Sequence, residues 1–291
     1  MSITINFIGA GRVGKTIAKQ IVDSKVATIQ GVCNRSLESS KKAIAFIGQG
    51  KAFSEIQELP PADVTFITTY DNVIVNCCQN LTKSCNLKTG SIILHCSGSF
   101  SSDLLISLKE KNCYVASVHP MRSFSIPFDR NRDYNNYCTF EGDAEALNLL
   151  SYLFKTMNYS IHLIDKKNKS IYHAAGIFAS NYLVTLFESA LFCLKNAGIT
   201  KEDGFKVILN LMKNTIDNLE FTQSTETALT GPISRGDLEV IRNHLQTLSK
   251  TNLIELYKVL GLSTLTLTNL TDSKKEAFAQ MFSLFKIKIK S

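Results

Sequence analysis

The first 118 residues alternate between two hydrophobic patterns. Short apolar runs have the length that is typical of buried strands, and the segments between them carry apolar residues three or four positions apart, as amphipathic helices do. The apolar runs occupy residues 3–8, 26–33, 63–69, 91–95 and 114–118. Because alternating strands and helices indicate βαβ units, we predict an α/β fold with a doubly wound, mostly parallel Rossmann sheet.

This alternation continues up to a charged segment at residues 165–169, after which only helical patterns occur. The last two strands are predicted at residues 136–140 and 160–164. The helical patterns occupy residues 171–197, 204–212, 216–229, 238–248 and 274–285. We therefore predict a Rossmann domain that binds a dinucleotide at residues 1–165, and an all-helical domain at residues 166–291 that contributes to the substrate site.

The loop between the first strand and the first helix carries three closely spaced glycines in the GxGxxG arrangement. The first glycine permits a tight turn, the second leaves room for a pyrophosphate, and the third lets the helix approach the strand. The amino terminus of the helix adds free N–H groups and a partial positive charge. The predicted cofactor contacts in this loop are Gly9, Ala10, Gly11, Arg12, Val13 and Gly14. The alternative is a glycine-rich turn without a ligand.

The end of the second strand indicates which dinucleotide is bound. Asn34 lies twenty residues past Gly14, where an acidic residue would bind the ribose 2′-hydroxyl of NAD. Asn34 and Ser36 are neutral hydrogen-bonding residues instead, and Arg35 between them is a permanent cation that suits a phosphate. We therefore predict NADP(H) as the cofactor, with Thr69 at another strand end as a further contact. The alternative for Arg35 is a solvated loop residue.

Two later strand ends carry candidate catalytic residues. Ser97 follows one strand in a run of small residues that suits the close approach of a nicotinamide or a substrate, although a simple turn is the alternative. His119 ends the next strand and is a candidate proton donor, because an imidazole titrates near neutral pH. Arg122, or Arg235 in a later loop, could hold an anionic substrate group, and a salt bridge is the alternative for Arg235. A structural histidine is the alternative for His119.

The long helix begins with polar residues in an otherwise apolar sequence. His173 and Ser180 are seven positions apart, which places them nearly on one face, and Asn181 lies about 80° round the helix from His173. Polar groups in so apolar a helix need partners, so we predict that His173 and Asn181 face the substrate. The alternative is that these groups satisfy one another at a contact between helices.

Charge and composition exclude several functions. The net charge is +7, but the lysines are scattered except in the tail at residues 286–290, so we expect no nucleic-acid partner. A mild positive field favours an anionic cofactor or substrate. We find neither a signal-peptide pattern nor an apolar run near the ~18 residues that span a membrane. The eight cysteines form no CxxC pair, so we expect reduced thiols, no metal and a cytoplasmic protein.

Six motifs in this order resemble one family. They are GAGRVG, NRS, HCSGS, HPMRSF, HAAGIFASN and LTGPISRGD. The chain resembles Rossmann-like proteins that are often labelled NADP oxidoreductases and whose second half is a helical domain of unknown function. These proteins are similar to pyrroline-5-carboxylate reductase, ketopantoate reductase and deazaflavin-dependent NADP oxidoreductases. The resemblance implies an NADP domain, a helical domain like that of 6-phosphogluconate dehydrogenase, and homodimers formed through the helices.

The residues and the resemblance together predict an NADPH-dependent reductase. A hydride would pass to a C=O or C=N carbon of a small, anionic substrate held in an interdomain cleft. Asn181 and Ser97 would bind the developing charge, and His119 or His173 would act as general acid. Related β-hydroxyacid dehydrogenases carry a catalytic lysine before the asparagine, and residues 171–194 contain none. The alternative function is an NADP(H)-binding sensor or scaffold without turnover.

Overall fold

The chain divides into two units, residues 1–181 and 182–291, and a single eight-stranded sheet forms the framework of the first. We describe both from a computed structural model of residues 2–124 and 136–285. The basic tail at residues 286–290 therefore lies outside the described residues. The strands are β1 Thr4–Ile8, β2 Thr28–Cys33, β3 Lys51–Phe53, β4 Val64–Ile67, β5 Ile92–His95, β6 Tyr114–Pro120, β7 Asn136–Gly142 and β8 Tyr159–Leu163.

The strand order is β3-β2-β1-β4-β5-β6-β7-β8. The first six strands in chain order run parallel, β7 is antiparallel to β6, and β8 is parallel to β7. The predicted mostly parallel Rossmann sheet is therefore confirmed. The helices of this unit are α1 Arg12–Ser24, α2 Leu37–Ile47, α3 Asp71–Thr82, α4 Ala144–Thr156 and α5 Lys169–Gly176, and a 3₁₀ segment spans Ser102–Lys111.

Both faces of the sheet are buried, which explains the continuous apolar runs in the sequence. Successive residues of a strand point to opposite faces, so Phe7 packs in the core on one side of the sheet and Ile8 in the core on the other. The Phe7 ring stacks on Phe66 of the neighbouring strand, with the ring centroids 4.7 Å apart. This two-sided core holds the strand ends in place, and the loops that follow those ends carry the site.

The predicted boundary after residue 165 lies inside the first unit, which extends to Asn181. Helix α5 contributes to this unit because Lys169 is buried and bonded to residues of the loop after β5 and of β6. The single helix predicted at residues 171–197 is α5, then a π-helical turn at Ile177–Asn181, then α6 Tyr182–Asn196. The beginning of the long helix thus belongs with the sheet.

The second unit contains α6, α7 Lys201–Thr222, α8 Thr225–Ala228, α9 Pro232–Arg235, α10 Leu238–Leu248, α11 Ile254–Leu265 and α12 Asp272–Leu284. The helices α10 to α12 share a core that includes Ile241, Phe278 and Phe282. Gly261 is necessary for this core, because a Cβ there would lie 2.3 Å from the Phe282 ring. The prediction of a helical second half is confirmed.

The helices of the second unit differ in detail from the prediction. The helix predicted at residues 204–212 continues without a break to Thr222 as part of α7, and the helix predicted at residues 216–229 is divided between the end of α7 and the short α8. Helix α11 was not predicted, because its sequence contains Gly261 and the pair Ser263-Thr264, which are weak helix formers. Asp237 precedes α10, and in the described structure its side chain pairs with Arg235 and makes no capping hydrogen bond.

Within the described ranges, one helical stretch is long and apolar enough to cross a membrane by length and composition. It spans Lys166–Asn196, and only 6% of its most apolar window is buried. The sequence pattern missed it because polar residues interrupt the apolar run. A single helix of this kind is weak evidence for a membrane span.

Candidate functional site

The loop after β1, residues 9–14, forms a glycine cradle at the carboxyl end of that strand. Gly9 adopts a φ of +82°, a conformation that favours glycine, and a Cβ there would lie 2.4 Å from Thr69 Cγ2. A Cβ on Gly14 would lie 2.3 Å from Thr68 Oγ1. A Cβ on Gly11 would meet no atom closer than 3.8 Å. The three glycines therefore have the predicted geometry of tight turn, open approach and close packing.

The amino terminus of α1 opens directly from the cradle. No side chain caps this helix, and its first turn contains no acidic residue. Its first N–H groups and its partial positive charge therefore suit an anionic group such as a pyrophosphate. Of the other predicted contacts here, Ala10 is buried, Arg12 is exposed and Val13 packs against the core of the sheet.

The residues predicted to select the nucleotide lie at the start of α2. The Ser36 hydroxyl caps the helix by accepting from the Ser39 amide at 3.2 Å. Asn34 Nδ2 donates to the Ser39 carbonyl oxygen at 3.0 Å, while Asn34 Oδ1 is buried and has no partner among residues 2–124 and 136–285. Arg35 is exposed beside them. An unpaired acceptor next to an exposed guanidinium fits a ribose hydroxyl and a phosphate.

Four residues form what we name the imidazole cluster: Gly98, His119, Tyr172 and His173. They come from the loop after β5, from β6 and from α5. The rings of His119 and His173 have centroids 5.6 Å apart and are inclined by 77°. A Cβ on Gly98 would lie 2.3 Å from His173 Nδ1 and 2.9 Å from His119 Nε2. Both ring nitrogens therefore face the Gly98 backbone, where no larger residue fits.

Hydrogen bonding and burial set the protonation of this cluster. His119 Nδ1 lies 2.9 Å from the Tyr172 hydroxyl, and His173 Nδ1 is buried without a hydrogen-bond partner in the described part of the chain. Burial, followed by the charges of His173 and Lys169, lowers the pKa of His119 to about 4. Burial also raises the pKa of Tyr172. Contrary to the prediction of a pKa near neutrality, His119 is an uncharged imidazole at pH 7.

A second buried histidine shapes the loop that carries Gly98. His95 is fully buried, its Nδ1 accepts from the Ser97 amide at 3.2 Å, and its Nε2 lies 3.0 Å from the Ser101 carbonyl oxygen. Burial lowers the pKa of His95 to about 4. Ser97 Oγ accepts from the amides of Ser99 and Phe100 at 3.2 and 3.1 Å. The hydroxyl of Ser97, a predicted catalytic residue, therefore stabilises the turn.

The remaining predicted residues lie in different surroundings. Asn181 is exposed in the π-helical turn, and its Oδ1 lies 3.0 Å from the Ser180 hydroxyl. Arg122 lies with its Cζ 6.0 Å from the Phe124 ring centroid. The exposed Arg235 pairs at 3.0 Å with Asp237, two residues along the chain. The structure brings His119, His173 and the Ser97 turn together.

Thiol and metal chemistry find no support at this site. Burial raises the pKa of the Cys96 thiol to about 12, so it stays protonated and is a poor nucleophile. All eight cysteines are free. Among the residues that the structure describes, no group of three or more His, Cys, Asp or Glu side chains could hold a metal ion.

Sequence reasoning missed three residues that support the cluster. Lys169 and Glu141 are buried with Nζ and Oε1 3.8 Å apart, and Tyr172 bonds His119. Lys169, Tyr172 and His173 have the i, i+3, i+4 spacing of one helix face, a signal that would have been visible had the predicted helix begun at residue 169. Glu141 gave a signal too, as a charge at the end of an apolar strand pattern.

Two family models match most of the chain. Residues 1–120 match the model of a Rossmann-like domain, and residues 136–264 match that of a domain of unknown function, DUF2520. No curated protein sequence matches the chain. The second match begins at β7, before the helical domain predicted at residues 166–291, and overlaps most of that domain.

Several solved structures share the fold. A protein from Bacteroides fragilis, provisionally assigned as an NADP oxidoreductase, has a TM-score of 0.74 at 22% identity, covering 91% of this chain and 98% of its own. Pyrroline-5-carboxylate reductase from Coxiella burnetii has a TM-score of 0.60 at 14% identity, and the match covers 97% of this chain and 99% of the reductase. A reductive aminase from Aspergillus terreus, in complex with NADPH and ethyl levulinate, has a TM-score of 0.59 at 12% identity. This match covers 98% of this chain and 93% of the aminase. These structures share the fold, and the two family models identify a Rossmann-like domain at residues 1–120 and a DUF2520 domain at residues 136–264.

Proposed function

We propose that the protein is an NADP(H)-dependent oxidoreductase that reduces the C=O or C=N group of a small, anionic substrate. The observation that carries this proposal is that the glycine cradle and the imidazole cluster lie along one edge of the sheet. The cradle follows β1, while Gly98 and His119 lie at the carboxyl ends of β5 and β6. Ligands of open α/β sheets bind outside this edge. The cofactors named for two structural neighbours also support NADP(H).

The residues of the cradle and of the α2 start would hold the nucleotide. The amino terminus of α1 would bind the pyrophosphate, with Gly11 leaving room for it. Asn34 Oδ1 would accept from a ribose hydroxyl, which removes the cost of a buried unpaired acceptor. Arg35 would bind the 2′-phosphate, and Thr69 lies against Gly9 at the same edge.

The imidazole cluster would stabilise the charge that develops during reduction. When bound, a reduced nicotinamide supplies the hydride that the carbonyl or imine carbon accepts. The C=O or C=N π electrons then move to the oxygen or nitrogen, where a hydrogen bond from His119 Nε2–H stabilises them. The Tyr172 hydroxyl, donating to Nδ1, selects the tautomer that carries hydrogen on Nε2. The proton that completes the product comes from solvent through Tyr172 and His119.

Three side-chain roles complete the proposal. Arg122, two residues past the end of β6, would attract the anionic group of the substrate. His173 Nδ1, buried and unpartnered in the described chain, would accept a hydrogen bond from the substrate. Asn181 and Ser97 stay predicted donors to the same charge.

Calorimetric titration tests the cofactor. We expect NADPH to bind at least ~10-fold more tightly than NADH, since a good charge-assisted contact contributes about 1.5–3 kcal/mol. The Arg35→Ala variant should lose about tenfold in NADPH affinity and none in NADH affinity. Lys41→Ala, which removes another exposed cation of α2, is the matched control and should bind both as the wild type does. Failure of both nucleotides to bind would refute the proposal.

A kinetic screen tests the reaction. Purified protein should oxidise NADPH in the presence of a small oxo or imino acid, and His119→Gln should lower turnover while NADPH binding remains. Tight NADPH binding without turnover of any substrate would favour the alternative of a nucleotide sensor or scaffold. In that case His119→Gln would leave the biological phenotype intact and Arg35→Ala would remove it.

We further propose that the protein forms a homodimer through its helical unit. Large apolar side chains are exposed on α6 and α7, among them Val184 at 70%, Leu211 at 59% and Phe221 at 91%. A second copy of this helix pair would cover them, as apolar area of this kind marks an interface. Light scattering should give a dimer mass, and Val184→Asp should shift it to the monomer. A monomeric wild type at micromolar concentration would contradict this.

We propose a cytoplasmic location for the protein. Eight free cysteines, two of them exposed, are consistent with a reducing compartment. Fractionation of cells should recover the protein with soluble cytoplasmic enzymes. Recovery with membranes would contradict this and would assign a different role to the apolar stretch Lys166–Asn196.

A further inference from the structure

Lys169 is buried beneath the loop that carries Gly98. Its side chain is among the largest fully buried ones in the described protein, with 1% of the residue exposed. Nζ donates to the Ser97 carbonyl oxygen at 3.0 Å and to Ser117 Oγ at 2.6 Å. The ammonium thus joins α5 to the first residues of the loop after β5 and to β6.

Glu141 is the counter-charge of this lysine and binds the other end of the same loop. Its Oε1 lies 3.8 Å from Lys169 Nζ and accepts from the Ser102 amide at 2.7 Å. Its Oε2 accepts from the Ser102 hydroxyl at 2.7 Å. The segment from Ser97 to Ser102 is therefore held at both ends by one buried ion pair, with Gly98 between the two attachments.

Stability alone does not account for an ion pair in this place. Removing a lysine and a glutamate from water costs several kcal/mol per ion, so apolar residues of similar volume are often as stabilising. Two ammonium donors of Lys169 hydrogen-bond the Ser97 carbonyl and the Ser117 hydroxyl, and the Glu141 carboxylate lies at ion-pair distance. Such a buried polar network determines position more than it adds free energy.

We propose that Lys169, together with Glu141, is a positioning residue that holds the Ser97–Ser102 loop so that Gly98 lies against His119 and His173. This inference rests on the proposed function for its kinetic consequence. Lys169 touches neither the predicted substrate position nor the cradle, so it acts through the loop. The loop in turn determines where a substrate atom meets the two imidazole rings.

Lys169 also acts on His119 through its charge. The Lys169 ammonium is one of the causes that lower the pKa of His119, after burial and the neighbouring His173. It also lowers the pKa of His95, while burial, opposed by Glu141, lowers that of Lys169 itself. In the described part of the chain, the titratable groups that contact His119 or act on its pKa are Tyr172, His173 and Lys169, all of α5.

A charge-neutral double variant, Lys169→Met with Glu141→Gln, tests this inference in the full-length protein. Because both charges are removed together, no unpaired ion remains buried, and we expect the variant to fold and to bind NADPH within about twofold of the wild type. Turnover should fall at least ~20-fold with KM changed less than about threefold, since misplacement of a reacting group costs mainly kcat. Lys167→Met, which removes an exposed ammonium two residues earlier, is the control.

NMR titration of the His119 ring supplies a readout that does not depend on activity. Lys169, and not Glu141, is among the causes that lower the pKa of His119, so the double variant should raise this pKa while Lys167→Met leaves it unchanged. An unchanged His119 pKa together with unchanged turnover would overturn the positioning role. If no substrate is reduced by the wild type, the proposed function fails. The His119 shift and the position of the Gly98 amide resonance would then decide the role of Lys169.

Discussion

The glycine cradle and the imidazole cluster lie at the same edge of the sheet, yet they are built in different ways. The cradle is backbone from six consecutive residues, and its geometry results from the absence of Cβ atoms. The cluster combines side chains from β6 and α5 with the backbone of the loop after β5, and its His119–Tyr172 bond joins residues 53 positions apart. A site made locally is visible in a motif, whereas a dispersed site depends on the fold and on a buried ion pair.

The glycine cradle should lose its affinity for NADPH when a single Cβ is added to it. We expect Gly9→Ala to lose more than ~100-fold in NADPH affinity, because its φ of +82° is unfavourable for alanine and the new Cβ would lie 2.4 Å from Thr69 Cγ2. Titration calorimetry measures the loss, with thermal unfolding as a check on the fold. Gly176→Ala is the control, since no atom lies within 4 Å of its Cβ position. If Gly9→Ala and Gly176→Ala bind NADPH with equal affinity, the cradle does not bind the cofactor.

A change in the imidazole cluster should lower turnover while the affinity for NADPH remains. Gly98→Ala places a Cβ 2.3 Å from His173 Nδ1 and must displace an imidazole ring. We expect turnover to fall about 100-fold, as misplacement of a catalytic group by about 1 Å does, with NADPH affinity within about threefold. Steady-state kinetics and calorimetry on the same preparation distinguish the two effects. A parallel loss of binding would mean that the two regions are one site.

Acid should lower the free energy of unfolding through His95, which is buried at the end of β5, before the loop that carries Gly98. The pKa of His95 is about 4 in the fold, against an ordinary value of 6.5 for the unfolded chain, so the unfolded chain binds more protons between these values. The stabilisation is complete above pH 6.5 and is lost as the pH falls towards 4, by roughly 2 kcal/mol at pH 5. His95→Gln, which keeps a donor and an acceptor, should show a pH dependence smaller by this amount in urea unfolding at pH 7 and 5. An unchanged slope would contradict the burial of a neutral imidazole.

The smallest effect should come from the Tyr172 hydroxyl. Tyr172→Phe removes one hydrogen bond to His119 Nδ1 and leaves the ring, so we expect kcat/KM to fall about fivefold, consistent with ~1 kcal/mol for such a bond. The Tyr152→Phe control removes an exposed hydroxyl on α4 and should have no effect. A loss equal to that of Gly98→Ala would give Tyr172 a direct part in proton transfer.

The sequence was sufficient for the parallel sheet and for the cradle, because their signals are periodic or contiguous. It was insufficient for Lys169, which stands in a run of charged residues that is typical of a hinge. Only its helical spacing to Tyr172 and His173 distinguishes its buried ammonium from the exposed one of Lys167. The pKa of His119 was mispredicted for the same reason, since burial by residues far along the chain decides it.

The π-helical turn at Ile177–Asn181 has a consequence for how one long helix can take part in both units. A π turn holds one more residue than an α turn, so the angular phase of every later side chain changes. The stripe of Lys169, Tyr172 and His173 that faces the sheet therefore ends at this turn. Deletion of one residue from the turn would return the side chains that follow it to the phase of an uninterrupted α-helix.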